Sequence, residues 1–190
     1  MGILRRIKER LVWWDIRHDL YSNRFEKELA AVISAGKVTE SEIPADIADT
    51  IITFITATNP RLRAESIRTI GLHWTVVRAT PLIAKQLGTE QDMQVRIAAI
   101  SALSALAREH QESRCRACGA LAELVLDSRY DDYTRMISYL ELMLIGNRIS
   151  FDEYVRLDKE LPEIFTDFDV DFSFVQEFVS GNGCMEGGRG

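Results

Sequence analysis

Residues 92–127 read DMQVRIAAISALSALAREHQESRCRACGALAELVLD. Asp92 stands four residues before Arg96. Ala99, Ile100 and Leu103 follow Arg96 by three, four and seven residues. That spacing lines one face of an α-helix. The small residue on it lets a neighbouring helix approach closely. A partner helix is expected at about 113–126.

The same pattern occurs on both sides of this stretch. Asn59 precedes Arg63, and Asp131 precedes Arg135, again by four residues. The arginines are 33 and 39 residues apart, which suits a repeat of two helices. Three residues after each arginine come Ser66, Ala99 and Ser138. Four after come Ile67, Ile100 and Tyr139, and seven after come Ile70, Leu103 and Leu142. Asn59, Asp92 and Asp131 are expected to cap their helices by accepting orphan backbone N–H groups. Each arginine, one turn on, is expected to reach an Asp of its own or the adjacent unit. Further partner helices are expected at about 76–87 and 151–161.

Asp92–Leu103 resembles the first helix of a HEAT repeat, through Asp92, Val95, Arg96, Ala98, Ala99, Ala102 and Leu103. The likeness covers residues 59–146. It departs at Thr134, which stands where the pattern has an apolar residue. The resemblance implies an all-α, right-handed α-α superhelix whose concave face binds partners. The family includes scaffolds, adaptors and bilin lyases, so it does not select a function.

The flanks read as helical caps. Residues 3–20 are amphipathic, with Ile3, Leu4, Ile7, Leu11, Trp14 and His18 on the expected core stripe. Further helices are expected at 24–35, ending near Gly36, and at 45–58. One domain is expected over 1–180, with an N-terminal cap and degenerate repeat at 1–58, the best-matching units at 59–146 and an acidic cap at 147–180. A disordered Gly-rich tail is expected at 181–190.

Composition narrows the class. The chain is 46% hydrophobic and 27% charged, as in ordinary globular proteins. Charges interrupt every apolar run, so no membrane span is expected. No secretory leader is read at the start, and Arg6 stands where a myristoylation signal needs Ser or Thr. Three cysteines give no disulfide framework and fit a reducing, cytoplasmic setting.

No catalytic constellation stands out, so the chain reads as a non-enzyme without cofactor or metal. Cys115 and Cys118 form a C-x-x-C inside an expected helix, without a second ligand pair for zinc, and read as two buried packing residues. His18, His73 and His110 are scattered. A bilin-handling reading requires a pocket lined by Trp74, His73 or Cys118. Nucleic-acid binding requires a continuous stripe through Arg61, Arg63, Arg68, Arg78 and Arg96. The acidity of the whole chain weighs against it. Arg5, Arg6, Lys8 and Arg10 beside Trp13 and Trp14 suit an anionic surface, but read first as the solvated side of a capping helix.

The net charge of −6 is uneven. Residues 1–40 carry eight Lys/Arg against six Asp/Glu, and residues 151–190 carry three against ten. Six of the eight Phe also lie after residue 150. Asp167, Asp169, Asp171, Phe172, Phe174 and Glu177 are therefore the candidate partner-binding residues: aromatics supply contact area and carboxylates steer a basic protein. The expected function is non-catalytic protein binding, as in an immunity or antitoxin-type protein facing a basic effector. A scaffold of a multiprotein complex and a HEAT-like bilin lyase are the alternatives.

Overall fold

The computed structural model describes the backbone of residues 2–38, 43–164 and 170–181, and side chains within 10–38, 43–159 and 170–181. Every regular element among these residues is helical. The helices are α1 (Gly2–Leu20), α2 (Phe25–Gly36), α3 (Ala45–Thr53), α4 (Pro60–Ile67), α5 (Thr80–Thr89), α6 (Met93–Glu109), α7 (Gln111–Leu126), α8 (Asp132–Ile145), α9 (Phe151–Ile164) and α10 (Phe172–Val179).

The helices pack in two layers. In one, α2 touches α4, α4 touches α6, and α6 touches α8; in the other, α5 touches α7, and α7 touches α10. The layers meet where α5 and α6, α6 and α7, and α7 and α8, each neighbours in sequence, pack on one another. One cluster of buried side chains runs from Trp13 to Phe178. The residues three, four and seven positions after each arginine are all buried, from Ser66 and Ile67 to Tyr139 and Leu142. The expected seam is therefore the seam on which α4, α6 and α8 pack.

The helix starts follow from their caps. Asn59 Oδ1 accepts from the Arg61 and Leu62 N–H groups, with Pro60 at the first helical position. Asp92 Oδ1 accepts from Gln94 and Val95. Asp131 Oδ1 accepts from the Thr134 N–H, while the Thr134 hydroxyl donates to Asp131 Oδ2 at 2.8 Å. Thr134 is thus a buried polar residue whose hydroxyl is satisfied by the cap.

Several sequence expectations change. In α1 the core side is Trp13, Ile16 and Leu20, whereas Leu11 is 58% and Trp14 61% exposed and His18 is also exposed. The Ile3, Leu4 and Ile7 side chains lie outside the described ones. The buried stripe runs from Trp13 through Ile16 to Leu20, and the Trp13 indole packs edge-on against Trp74 at 6.1 Å. The helix expected to reach residue 58 stops at Thr53 and continues as a 3₁₀ turn, Phe54–Thr56. The one expected from residue 76 begins at Thr80, after a 3₁₀ turn at Val77–Ala79. Gly36 is the last residue of α2, and a Cβ there would meet Thr69 Oγ1 at 2.9 Å. Cys118 is buried as expected, but Cys115 is exposed. The partner position beside α7 is taken by α10, while α9 packs on α8. Of the expected tail, only Gly181 is described. It has φ +80° and its N–H donates to Phe178 O.

Candidate functional site

Three places combine exposed contact area with organised polar groups: the arginine row, the turn around Thr75, and the C-terminal edge.

In the arginine row, Arg63 Nε and Nη2 grip Glu90 Oε2 and Oε1 at 2.9 and 2.8 Å, and its Nη1 donates to the Ala57 and Thr58 carbonyls. Glu90 also accepts from Gln86 Nε2 and from the Gln91 and Asp92 N–H groups. Burial by itself would raise the Glu90 pKa. The Arg63, Asp92 and Gln86 hydrogen bonds outweigh it and hold the carboxyl at about 2. Arg96 Nη2 reaches Asp131 Oδ2, the cap of the next helix in the row, at 3.0 Å. Arg135 turns back, donating to Val125 O and to Asp132. Asn59, Asp92 and Asp131 cap, and Arg63, Arg96 and Arg135 fasten adjoining segments, so this set holds the fold. Glu90 was not legible as a partner from the Asp-to-Arg spacing; the available signal was an acid just before a capping residue.

The same pairing answers the nucleic-acid reading. Arg63 meets Glu90, Arg68 meets Glu65, Arg78 meets Asp49 and Arg96 meets Asp131. With four of the five expected cations paired to carboxylates and Arg61 alone left exposed without an ion pair among the described residues, the stripe is not the continuous one such binding needs. Beside this row, a cleft of about 310 Å³ opens between the start of α4 and the start of α6, lined by Arg61, Ala64, Glu65, Arg68 and Gln94 among others.

The turn after α4 is irregular. Arg68–His73 forms a π-helical turn, and Thr75, a β-branched residue, has φ +45°. The Thr75 hydroxyl bonds Glu109 Oε2 and His110 Nε2, both at 3.1 Å. The order is carboxylate–hydroxyl–imidazole, whereas a nucleophile relay sets the imidazole in the middle. These bonds fasten the turn to the end of α6. His73 is exposed, Trp74 packs against Trp13 of α1, and Cys118 is buried in α7, so the residues named for a bilin pocket belong to three different packing environments. No group of three or more His, Cys, Asp or Glu among the described residues has metal-binding geometry.

At the C-terminal edge, Asp167 and Asp169 lie outside the described residues. Asp171 caps α10, accepting from the Phe174 N–H and the Ser173 hydroxyl. The Ser173 bond comes first in holding its carboxyl below the usual range. Phe174 is buried, edge-on to Tyr139 and Phe178, with the Arg148 guanidinium 5.1 Å from its ring centre. It anchors α10 and is unavailable to a partner. Phe172 is 52% exposed, and Val179 and Glu177 are exposed with it. Among the expected binding residues, Asp171, Phe172 and Glu177 are therefore exposed, Asp171 also capping α10, whereas Phe174 is buried and anchors the helix.

No protein-family model, curated protein or solved structure matches the chain. Among the described residues, no helix is long and apolar enough to cross a membrane.

Proposed function

We propose that this chain is a non-catalytic protein-binding module: a right-handed, HEAT-like stack of helical hairpins that docks a basic protein through its acidic C-terminal edge. The observation that carries the reading is α10. Phe174 and Phe178 fix it to the body, leaving Phe172 and Val179 as exposed contact area beside Glu177. Charge steers the encounter and the exposed aromatic supplies the contact. The concrete form is an immunity or antitoxin-type protein that covers a basic effector in the cytoplasm. The repeated Arg63–Glu90 and Arg96–Asp131 links support the stacked architecture.

The cleft between α4 and α6 favours a second reading, a scaffold that holds a segment of another subunit on the face of that layer. The test is capture of partners by the full chain and by its Phe172→Ala/Glu177→Lys variant, at low and high salt. A basic protein held by the parent, released by salt and lost from the variant supports the edge. Retention by the variant moves binding to the cleft, and salt-insensitive binding overturns steering by charge.

A further inference from the structure

Leu11, Trp14 and His18 of α1, with Tyr21 just beyond its end, follow one another at intervals of three, four and three residues, and all four are exposed. Leu11, Trp14 and Tyr21 are each more than half exposed. The Trp14 ring is stacked with His18 at 5.8 Å, and the Tyr21 hydroxyl is bonded to Thr50 Oγ1 at 2.9 Å, so these rings are held in place. The spacing is that of a coiled-coil seam. Helical geometry puts this line on the side of α1 opposite the buried Trp13, Ile16 and Leu20. A second helix lying along it meets α1 with the body on the far side.

The two rims of the line carry opposite charges. Arg10 precedes Leu11 and lies along one rim; Asp15 follows Trp14 and lies along the other. Both are exposed, and neither has an ion pair among the described residues. Their neighbours are already committed: Arg17 to Asp46 of α3, and Asp19 to Lys27 of α2. What remains on the outer face is one cation and one anion, five residues apart, with exposed apolar side chains between them.

That arrangement complements itself. When two copies of the helix lie side by side and parallel, a two-fold axis sets the Arg10 rim of each against the Asp15 rim of the other. A step of five residues is the one across which rim charges of a parallel helix pair meet. An antiparallel pair sets Arg10 against Arg10 and Asp15 against Asp15, which like-charge repulsion disfavours. We infer that the chain associates with a second copy of itself through α1, as a parallel helix pair with Leu11 and Trp14 in the seam and reciprocal Arg10–Asp15 pairs along its rims. Apolar burial drives the association and the charges set its direction. None of the α10 edge residues takes part. The seam is short, so the association is a monomer–dimer equilibrium and not a permanent assembly.

The test is sedimentation equilibrium of the full chain over a range of concentrations, where a monomer–dimer equilibrium is expected. Leu11→Ala/Trp14→Ala is expected to weaken it at least about tenfold. Both side chains are exposed, so at a dilution where the parent is monomeric the melting temperature is expected to stay unchanged, which separates lost docking from lost folding. Arg10→Asp and Asp15→Arg each put like charges across both rims, and each is expected to weaken the dimer roughly tenfold. The combined Arg10→Asp/Asp15→Arg chain, and an equal mixture of the two single variants, are expected to recover it, because opposite charges face each other again. A chain that stays monomeric at every concentration, whatever else then covers the stripe, overturns the proposal. So does a dimer indifferent to the Leu11 and Trp14 change, or one whose charge variants fail to weaken it singly and recover it together.

Discussion

Glu90 and Glu141 show how similar burial gives opposite electrostatics. Glu90 has a guanidinium fork and backbone donors, and its pKa sits at about 2, below the unfolded range. Its stabilising effect is full above the unfolded value and disappears as pH falls toward the folded one. That difference is worth on the order of 3 kcal/mol. Glu90→Gln is expected to lower stability at neutral pH by about 2–3 kcal/mol and to flatten the acid limb of urea unfolding below about pH 4.5. Glu141 is also buried, but desolvation comes first and raises its pKa. The Tyr154 hydroxyl donates to it at 2.8 Å, and burial pushes that phenol upward too. A carboxyl raised in the folded state loses stability as pH rises through its folded pKa. Glu141→Gln is therefore expected to leave neutral stability unchanged or increased, and to remove a fall in stability on the alkaline side of the unfolded carboxylate range. Urea midpoints measured across pH distinguish the two signs.

At the scale of elements, the irregular turn after α4 depends on close approach. A Cβ on Gly71 would stand 2.5 Å from the Ala102 Cβ of α6 and 2.9 Å from Ile83 Cδ1 of α5. Gly71→Ala is expected to cost about 1–3 kcal/mol through overpacking, seen as a lower melting temperature. At the other end, Phe174→Ala removes the ring that anchors α10. A loss of about 3–5 kcal/mol is expected, with faster hydrogen exchange confined to α10 and the face of α7 it covers. The α6–α7 hairpin was legible because its pattern is regular: a capping Asp92, a small residue at Ala99 and apolar residues at Ile100 and Leu103. The α1 face was not legible, because Leu11–Trp14 and Trp13–Ile16–Leu20 are both plausible stripes. Trp74, which packs against Trp13, is brought in by a π-helical turn that no local pattern announces. At the C-terminal edge the sequence did not show the division of labour between anchoring Phe174 and accessible Phe172.

Across the whole molecule, one cluster of buried side chains runs from Trp13 to Phe178. What holds the helices in order is a side chain from one unit reaching the start of the next: Arg63 to Glu90 beside the Asp92 cap, and Arg96 to the Asp131 cap itself. The Arg63–Glu90 link is not a surface pair of the kind that contributes little, since its partners are 14% and 3% exposed, whereas Asp131 in the second link is 40% exposed. The direct measurement is a double-mutant cycle on the intact chain, Arg63→Met with Glu90→Gln, read by urea unfolding. A coupling of about 1–3 kcal/mol is expected if the pair fastens adjacent units. Additive single effects, with coupling within about 0.5 kcal/mol of zero, would contradict it.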